Sequence, residues 1–176
     1  MSLVAISGNA SGTGTLTVAA PNTNSNYTLT LPQTTATLGI NGPAFRAYQS
    51  SAQTLSSATF TKLQFQTEVF DTNSNFDNAT NYRFTPTVAG YYQINGAFTV
   101  ATSATKMLVL IYKNGLVDTV GFDSGSVSIS VCSVSNLVYL NGSTDYVELY
   151  GYFGTGQNVF ASAAYTYFSG SMVRGA

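Results

Sequence analysis

The sequence lacks the side chains on which most enzymes depend. It contains no histidine and a single cysteine, Cys132. Without histidine, neither a Ser–His–Asp triad nor a Cys–His pair can form. One cysteine also excludes a disulfide framework within the chain and a zinc site built from cysteine and histidine. Composition therefore argues against an enzyme, and we expect Cys132 to be a small, buried or half-buried strand residue.

Charge is scarce as well. Charged residues make up 7% of the 176 residues, whereas about 25% is usual in soluble proteins. Six lysines and arginines spread along the chain cannot build the basic surface that nucleic-acid binding requires. The chain starts without the basic region of a signal peptide and has no apolar run of about 18 residues. We expect neither nucleic acid nor a membrane as a partner, and synthesis in a cytoplasm.

The residues that are abundant favour β-structure. The chain is 44% apolar and 13% aromatic, and it holds 24 threonines, 20 serines, 14 asparagines and 16 glycines. Aromatic and β-branched residues suit strands, whereas glycine and asparagine interrupt helices and mark turns. Two stretches alternate apolar and polar residues, with apolar positions at Leu63, Phe65 and Val69 in one and at Tyr92, Ile94, Phe98 and Val100 in the other. Such a period of two predicts half-buried antiparallel strands in a sandwich or barrel.

Residues 1–42 differ from the rest of the chain. They carry no charge, and their only aromatic residue is Tyr27. Two short alternating runs present apolar residues at Leu16, Val18, Tyr27, Leu29 and Leu31. So few large side chains cannot fill a core. We therefore expect a short β-rich segment, residues 1–42, that is ordered against a partner, followed by a separate domain over residues 43–176.

Five stretches after Pro43 carry a family resemblance in both order and spacing. They are Ala44–Ala47, Phe84–Tyr92, Leu108–Gly115, Leu137–Val147 and Phe168–Val173. Together they resemble the globular head of the complement C1q type, a relative of the tumour-necrosis-factor jelly roll. The resemblance implies an all-β, antiparallel ten-strand jelly-roll sandwich that assembles as a homotrimer. One departure is that Ser143 and Thr144 intervene between Gly142 and Asp145, where the family commonly has an acidic residue directly after glycine.

The N-terminal segment resembles a second group. Residues 14–21 and 27–32 look like the start of many bacteriophage tail-fibre and virion surface proteins. This implies synthesis in a host bacterial cytoplasm and display on the virion surface, with Leu16, Val18, Tyr27, Leu29 and Leu31 as anchoring residues. About 42 residues before the head leave no room for a long fibre shaft. We therefore expect a capsid decoration protein (a cement or head-fibre protein) bound to the major capsid protein. The alternative is a tail-fibre tip or receptor-binding protein, attached to a tail protein, that recognises a host-surface glycan or protein.

Two apolar surfaces are candidates for the trimer interface. The run Met107–Tyr112 is apolar on both faces, so something besides the core should cover it. A second strand places Tyr146, Tyr150 and Tyr152 on one face. Tyrosine is enriched in subunit interfaces, although a tyrosine-rich face also suits a sugar-binding platform. The predicted interface residues are Leu108, Leu110, Tyr112, Tyr146, Tyr150 and Tyr152.

The few carboxylates give only weak evidence for a catalytic pair or a metal site. Asp145 and Glu148 lie three positions apart on a strand, so they point to opposite faces and cannot act as an acid–base pair. Asp71 and Asp77 flank a loop and are weak candidates for calcium ligands, since calcium prefers several oxygen atoms. The loop lacks the spacing of a dedicated calcium loop, and aspartates also cap turns. We expect no enzymatic activity and no cofactor, with calcium as the one low-ranked candidate.

Overall fold

The computed structural model describes residues 11–14, 17, 24, 26, 42–100, 106–124 and 131–176. The chain divides into two compact units, Met1–Thr37 and Leu38–Ala176. The five predicted anchoring residues, Leu16, Val18, Tyr27, Leu29 and Leu31, lie outside the described residues. The architecture below is therefore that of the second unit, which contains the predicted head.

Antiparallel strands account for most of the described head. They are β1 (Ala44–Tyr48), β2 (Gln53–Leu55), β3 (Thr61–Lys62), β4 (Thr67–Asp71), β5 (Phe76–Asp77), β6 (Arg83–Phe84), β7 (Ala89–Thr99), β8 (Met107–Lys113), β9 (Leu116–Ser124), β10 (Val131–Asn141), β11 (Val147–Phe153), β12 (Gln157–Val159) and β13 (Tyr167–Gly175). These are thirteen strands within the described residues, where the family resemblance implies ten, because several segments of two or three residues pair as separate strands. The all-β, antiparallel jelly-roll prediction is confirmed.

The strands form two main sheets. The five-stranded sheet has the order β10-β7-β13-β1-β4, and the six-stranded sheet has the order β5-β6-β11-β8-β9, with β3 also pairing with β11. β12 and β2 form a small third sheet. Spatial neighbours are often distant in sequence, so the connections cross between the sheets in the manner of a jelly roll.

Aromatic side chains fill much of the core. Phe45 on β1 stacks on Phe84 at 4.4 Å and on Phe76 at 4.9 Å between ring centroids. The rings of Phe168 and Phe45 meet edge to face, with 5.1 Å between their centroids. Tyr92 is fully buried, and its hydroxyl donates to the carbonyl oxygen of Val88 at 2.6 Å. That hydrogen bond lets a polar group enter the core without losing its partner.

The predicted stripe of Leu63, Phe65 and Val69 is wrong at its third position. Leu63 and Phe65 are buried, but Val69 is 52% exposed. The reason is that β3 ends at Lys62 in the six-stranded sheet, whereas β4 begins at Thr67 in the five-stranded sheet. The chain crosses between sheets in this stretch, so a single alternation cannot continue through it.

A close approach joins the two sheets at one edge. A Cβ atom on Gly121 of β9 would lie 2.5 Å from Cβ of Val134 on β10, so only glycine fits there. Beside it, the Asn136 amide donates to the Asp118 carboxylate at 3.2 Å and to the Thr119 hydroxyl at 2.6 Å. These contacts close the sandwich along β9 and β10.

The turn between β8 and β9 is rigid. Asn114 and Gly115 both have positive φ, 52° and 79°, as a type I′ hairpin requires. The Asn114 amide donates to the Asp145 carboxylate at 2.8 Å, and its oxygen accepts from the Tyr146 N–H at 3.0 Å. The Asn114-Gly115 dipeptide, which is typical of such turns, thus forms one here, and the neighbouring loop holds its tip in place.

Candidate functional site

The predicted tyrosines lie together on the outer surface of the six-stranded sheet. We call this surface the outer aromatic face; it comprises Phe60, Tyr112, Tyr146, Tyr150 and Tyr152. The rings of Tyr112 and Tyr150 stack at 3.9 Å and 19°, and those of Phe60 and Tyr152 approach to 4.9 Å. Burial raises the pKa of both Tyr112 and Tyr150. Tyr112 and Tyr150 thus pack on each other, whereas Tyr152 packs on Phe60.

The two predicted interface leucines are already buried in one chain. Leu108 and Leu110 oppose Tyr152 and Tyr150 across the β8–β11 pairing. Their exposed fractions are 9% and 2%. The argument that a monomer would expose them therefore does not hold. The placement of the trimer interface on this face stays a prediction.

Ion pairs separate the two carboxylates that a catalytic pair would need. Lys62 lies 2.5 Å from the buried carboxylate of Glu148. Asp145 instead pairs with Lys113 at 3.1 Å. Its pKa is lowered chiefly by the hydrogen bond from Asn114, with further contributions from Lys113. Each carboxylate is engaged by its own lysine, so the two do not converge on one site.

The opposite side of the sandwich carries an exposed apolar depression. The tyrosine pocket, as we call it, is lined by Tyr91, Leu137, Tyr139, Val173 and the C-terminal residues 174–176, with a volume of about 710 Å³. Tyr91 and Tyr139 are cross-strand partners on β7 and β10, and their rings lie 5.4 Å apart. Register shifts between Met172 and Arg174, so a β-bulge turns Val173 outward into the pocket.

A second exposed apolar surface follows the rigid hairpin turn. We call it the hairpin ridge; it consists of Leu116, Val117 and Val120 on β9. Leu116 is 75% exposed directly after the turn. It is the cross-strand partner of Lys113, whose ammonium donates to the Tyr139 carbonyl at 2.7 Å. The ridge and the pocket therefore lie at the same end of the molecule, on different surfaces.

Sequence reasoning missed both of these surfaces, although signals for them exist. Leu137–Leu140 is a second run that is apolar on both faces, and in the structure only Val138 and Leu140 point inward. Leu116 and Val117 follow an Asn-Gly turn, where polar residues are usual. The sequence thus contains two runs that are apolar on both faces, Met107–Tyr112 on β8 and Leu137–Leu140 on β10. Only the run on β10 leaves large apolar side chains, Leu137 and Tyr139, exposed.

The two weak calcium candidates serve as turn caps. The Asp71 carboxylate accepts from the N–H groups of Asn73 and Phe76, the latter at 2.6 Å. The Asp77 carboxylate accepts from the N–H groups of residues 79, 80 and 81 and from the Asn81 amide. These bonds lower the pKa of Asp77 to about 2, the bond from Thr80 contributing most. The geometry supports the turn-capping interpretation, and the calcium prediction itself is not tested.

Few other groups offer chemistry. Cys132 is fully buried, and burial raises the pKa of its thiol to about 12, so the thiolate that would react is scarce at neutral pH. Within residues 42–100, 106–121 and 131–176, no three His, Cys, Asp or Glu side chains gather closely enough to hold a metal ion. The part of the chain that the structure describes also contains no helix long and apolar enough to cross a membrane.

Comparison with known proteins supports the fold at low sequence identity. No protein-family model and no curated protein sequence matches the chain. Among solved structures, the zebrafish complement 1qA globular domain matches with a TM-score of 0.57 and 18% identity, over 77% of this chain and 100% of that one. Murine APRIL matches with a TM-score of 0.60 and 8% identity, over 76% and 100%. Eiger TNF from S. frugiperda matches with a TM-score of 0.61 and 9% identity, over 77% and 96%. The head therefore has the C1q/TNF-like jelly-roll fold.

Proposed function

We propose that this chain is a bacteriophage virion protein with a structural, non-enzymatic role. Residues 43–176 form a head displayed as a homotrimer on the particle surface, and residues 1–42 attach it. The C1q/TNF-like fold supports a trimeric module in general. The phage assignment rests on the resemblance of residues 14–21 and 27–32 to virion proteins.

The observation that carries the trimer is the pair of exposed apolar surfaces. The tyrosine pocket and the hairpin ridge both face solvent in a single chain. A soluble monomer rarely leaves contiguous apolar surface uncovered, and larger exposed patches mark interaction sites. The pocket also combines two tyrosines with aliphatic neighbours, the composition that interfaces favour.

The leading assignment within the virion is capsid decoration, with the major capsid protein as partner. Quantifying this chain in purified virions tests it. A copy number comparable to that of the major capsid protein supports decoration of the head. A copy number matching the tail proteins contradicts it and supports the fibre-tip alternative.

The outer aromatic face favours that alternative, receptor binding through a host-surface glycan. Phe60 is exposed there beside Tyr152, and Arg83 stacks on Tyr146 at 4.3 Å. Aromatic rings with polar edges suit sugar rings as well as protein. Phe60→Ala should abolish binding to host-cell polysaccharide while the trimer persists. Equal binding by Phe60→Ala and the native chain would argue against a glycan site on this face.

The trimer itself is tested by mass. Light scattering of the purified chain at micromolar concentration should give three times the chain mass of 18.5 kDa. A stable monomer at that concentration would contradict the proposed homotrimer and with it the proposed function.

A further inference from the structure

We propose that the outer aromatic face binds an acidic glycan, with Arg83 pairing with the carboxylate of one sugar and Phe60 stacking on another sugar ring. This inference deepens the receptor-binding alternative of the proposed function, on which it rests, because it names the chemistry of the ligand. It divides the face into an anion subsite, Arg83 and Tyr146, and a stacking subsite, Phe60 and Tyr152.

The first argument is the charge balance around Glu148. Arg83 on β6 is the cross-strand partner of Glu148, and Lys62 on β3 lies opposite Tyr150, two residues further along β11. Among the described residues, only Lys62 forms an ion pair with the Glu148 carboxylate. Two cations thus flank one anion, which leaves this part of the face positive, although the whole chain has a net charge of −1. An acidic ligand supplies the complementary charge.

The second argument is that the guanidinium of Arg83 is oriented but unpaired. Its central carbon lies over the ring of Tyr146, 4.3 Å from the centroid. Within the described residues, its N–H groups form no hydrogen bond and no ion pair. A guanidinium presents pairs of parallel N–H groups that fit a carboxylate in bidentate geometry. Stacking occupies one flat face of Arg83 and leaves those N–H edges available to a ligand.

The third argument is the backbone that carries Arg83. Tyr82, directly before it, has a φ of +49°, a left-handed conformation that is unusual for a bulky residue. Such strain persists only where surrounding contacts fix it, and it is common at binding sites. Here the Asp77 carboxylate accepts three backbone hydrogen bonds from the preceding loop, and the Lys62 ammonium donates to the Asn81 carbonyl at 3.2 Å. The loop therefore pre-organises the anion subsite, which lowers the entropic cost of binding.

The fourth argument is the length and chemistry of the face. Tyr146 and Tyr152 are six residues apart along β11 and the residue before it, so the face extends about 20 Å, enough for several sugar rings. Phe60 is 48% exposed, and its ring lies beside that of Tyr152. The hydroxyls of Tyr146, Tyr150 and Tyr152 have no hydrogen-bond partner within the described residues. They can therefore exchange hydrogen bonds with sugar hydroxyls.

A polysaccharide panel tests the class of ligand with the full-length chain. The probes are immobilised carboxylated bacterial polysaccharides, each paired with the same polymer after its carboxyl groups are reduced to alcohols. The chain should bind acidic members of the panel and bind their reduced forms about tenfold or more weakly, as loss of charged hydrogen bonds predicts. Polyglutamate, which offers carboxylates without sugar rings, should not compete. Equal binding to polyglutamate would replace the glycan with an acidic peptide and overturn the proposal.

Arginine variants test the anion subsite. Arg83→Gln should weaken binding of the acidic glycan by about tenfold or more, and Arg83→Lys should restore it only in part, because lysine lacks the planar fork. Arg46→Gln is the matched control and should bind as the native chain does. Arg46 also lies over a tyrosine, Tyr167, but it is on β1 of the other sheet and donates to the Ala163 carbonyl. Native binding by Arg83→Gln, or equal losses in the Arg83 and Arg46 variants, would refute the subsite.

A gain of affinity distinguishes binding from support of the fold. Glu148→Gln keeps the shape of the side chain, removes its negative charge and frees Lys62. The acidic glycan should therefore bind this variant more tightly than the native chain, whereas a variant that only damaged the sheet would bind less. Unchanged or weaker binding would contradict the charge argument.

The outcomes also separate this inference from the proposed function. Equal binding of acidic and reduced polysaccharides, with loss of both in Phe60→Ala, would refute the anion subsite and leave a glycan site standing. Binding to no member of the panel would refute this inference and the receptor-binding alternative together. The copy number in virions and the trimer mass would still decide the proposed decoration role.

Discussion

Asp77 shows how one side chain can fix a loop that has little regular structure. Its carboxylate accepts four hydrogen bonds, the shortest at 2.7 Å from the Asn81 amide. These donors favour the ionised form, so the pKa falls from 3.8 to about 2. A carboxyl group whose pKa is depressed by folding stabilises the folded state above its unfolded pKa, and this contribution disappears as pH falls toward the folded pKa.

We therefore predict that Asp77→Asn lowers stability at pH 7 and flattens the acid dependence between about pH 4 and pH 2. An amide oxygen can still accept hydrogen bonds, but it does so without charge, and charge-assisted bonds are the stronger ones. Urea-unfolding midpoints at several pH values measure both effects. Glu68→Gln is the contrasting control, because burial and nearby Asp71 raise the pKa of Glu68. Removing Glu68 should not reduce the loss of stability in acid.

Gly142 is a second position where one residue decides a local conformation. Its φ is +71°, and an added Cβ would lie 2.3 Å from the backbone nitrogen of Ala89. Backbone atoms cannot move aside as a flexible side chain can. Gly142→Ala should cost about 1–3 kcal/mol of unfolding free energy. Gly156→Ala is the matched control, since its Cβ would meet only ordinary contacts at 3.4 Å and beyond. Equal stability of the two variants would contradict the strain argument.

At the level of strands, the sequence patterns predicted where strands form better than they predicted what covers each strand. The apolar positions Tyr92, Ile94, Phe98 and Val100 are all buried, as the period of two predicts. The prediction that Val69 is buried was wrong because the chain changes sheets after β3. A local alternation of apolar and polar residues does not reveal such a change. Leu110 and Leu137 both come from doubly apolar runs, yet only Leu137 is exposed. What covers a strand depends on contacts distant in sequence, so the candidate site could not be located from periodicity alone.

The aromatic cluster around β1 gives a test at this scale. Phe45 holds a strand of five residues against the rings of Phe76, Phe84 and Phe168. Phe45→Ala should therefore reduce the unfolding free energy by about 3–5 kcal/mol, because it removes both apolar burial and packing. Urea denaturation measures the loss. Phe160 is half-exposed, so Phe160→Ala should stay within about 0.5 kcal/mol of the native chain.

Within the described part of the head, a surface poor in charged residues carries two unlike apolar patches, the ridge and the pocket. Low charge removes most of the electrostatic repulsion that keeps proteins apart. An assembly that buried the ridge and the pocket would also protect this exposed apolar surface from further association. The doubly apolar run Met107–Tyr112 led us to expect a covering partner, and the resemblance to C1q-type heads indicated the fold. The positions of the patches required the three-dimensional arrangement, because Leu116 and Tyr139 are brought to one end by strands of different sheets.

We predict that the head folds and assembles without residues 1–42. Every residue of the buried core cluster lies between Phe45 and Phe168, and the proposed contact surfaces lie beyond residue 90. The truncated chain should keep its trimer mass, its melting temperature and the rise of that temperature with protein concentration, which mass action gives to any oligomer. A lower melting temperature, or loss of the trimer, would show that residues 1–42 take part in assembly.

The same truncation tests attachment to the virion. Residues 1–42 are uncharged and β-prone, and such segments gain their backbone hydrogen bonds by adding strands to a partner. Full-length and truncated chains are added separately to particles that lack the protein, and the particles are then sedimented. The full-length chain should co-sediment, and the truncated trimer should stay in the supernatant. If both co-sediment equally, the head itself makes the attachment, and the anchoring role of Leu16, Val18, Tyr27, Leu29 and Leu31 is wrong.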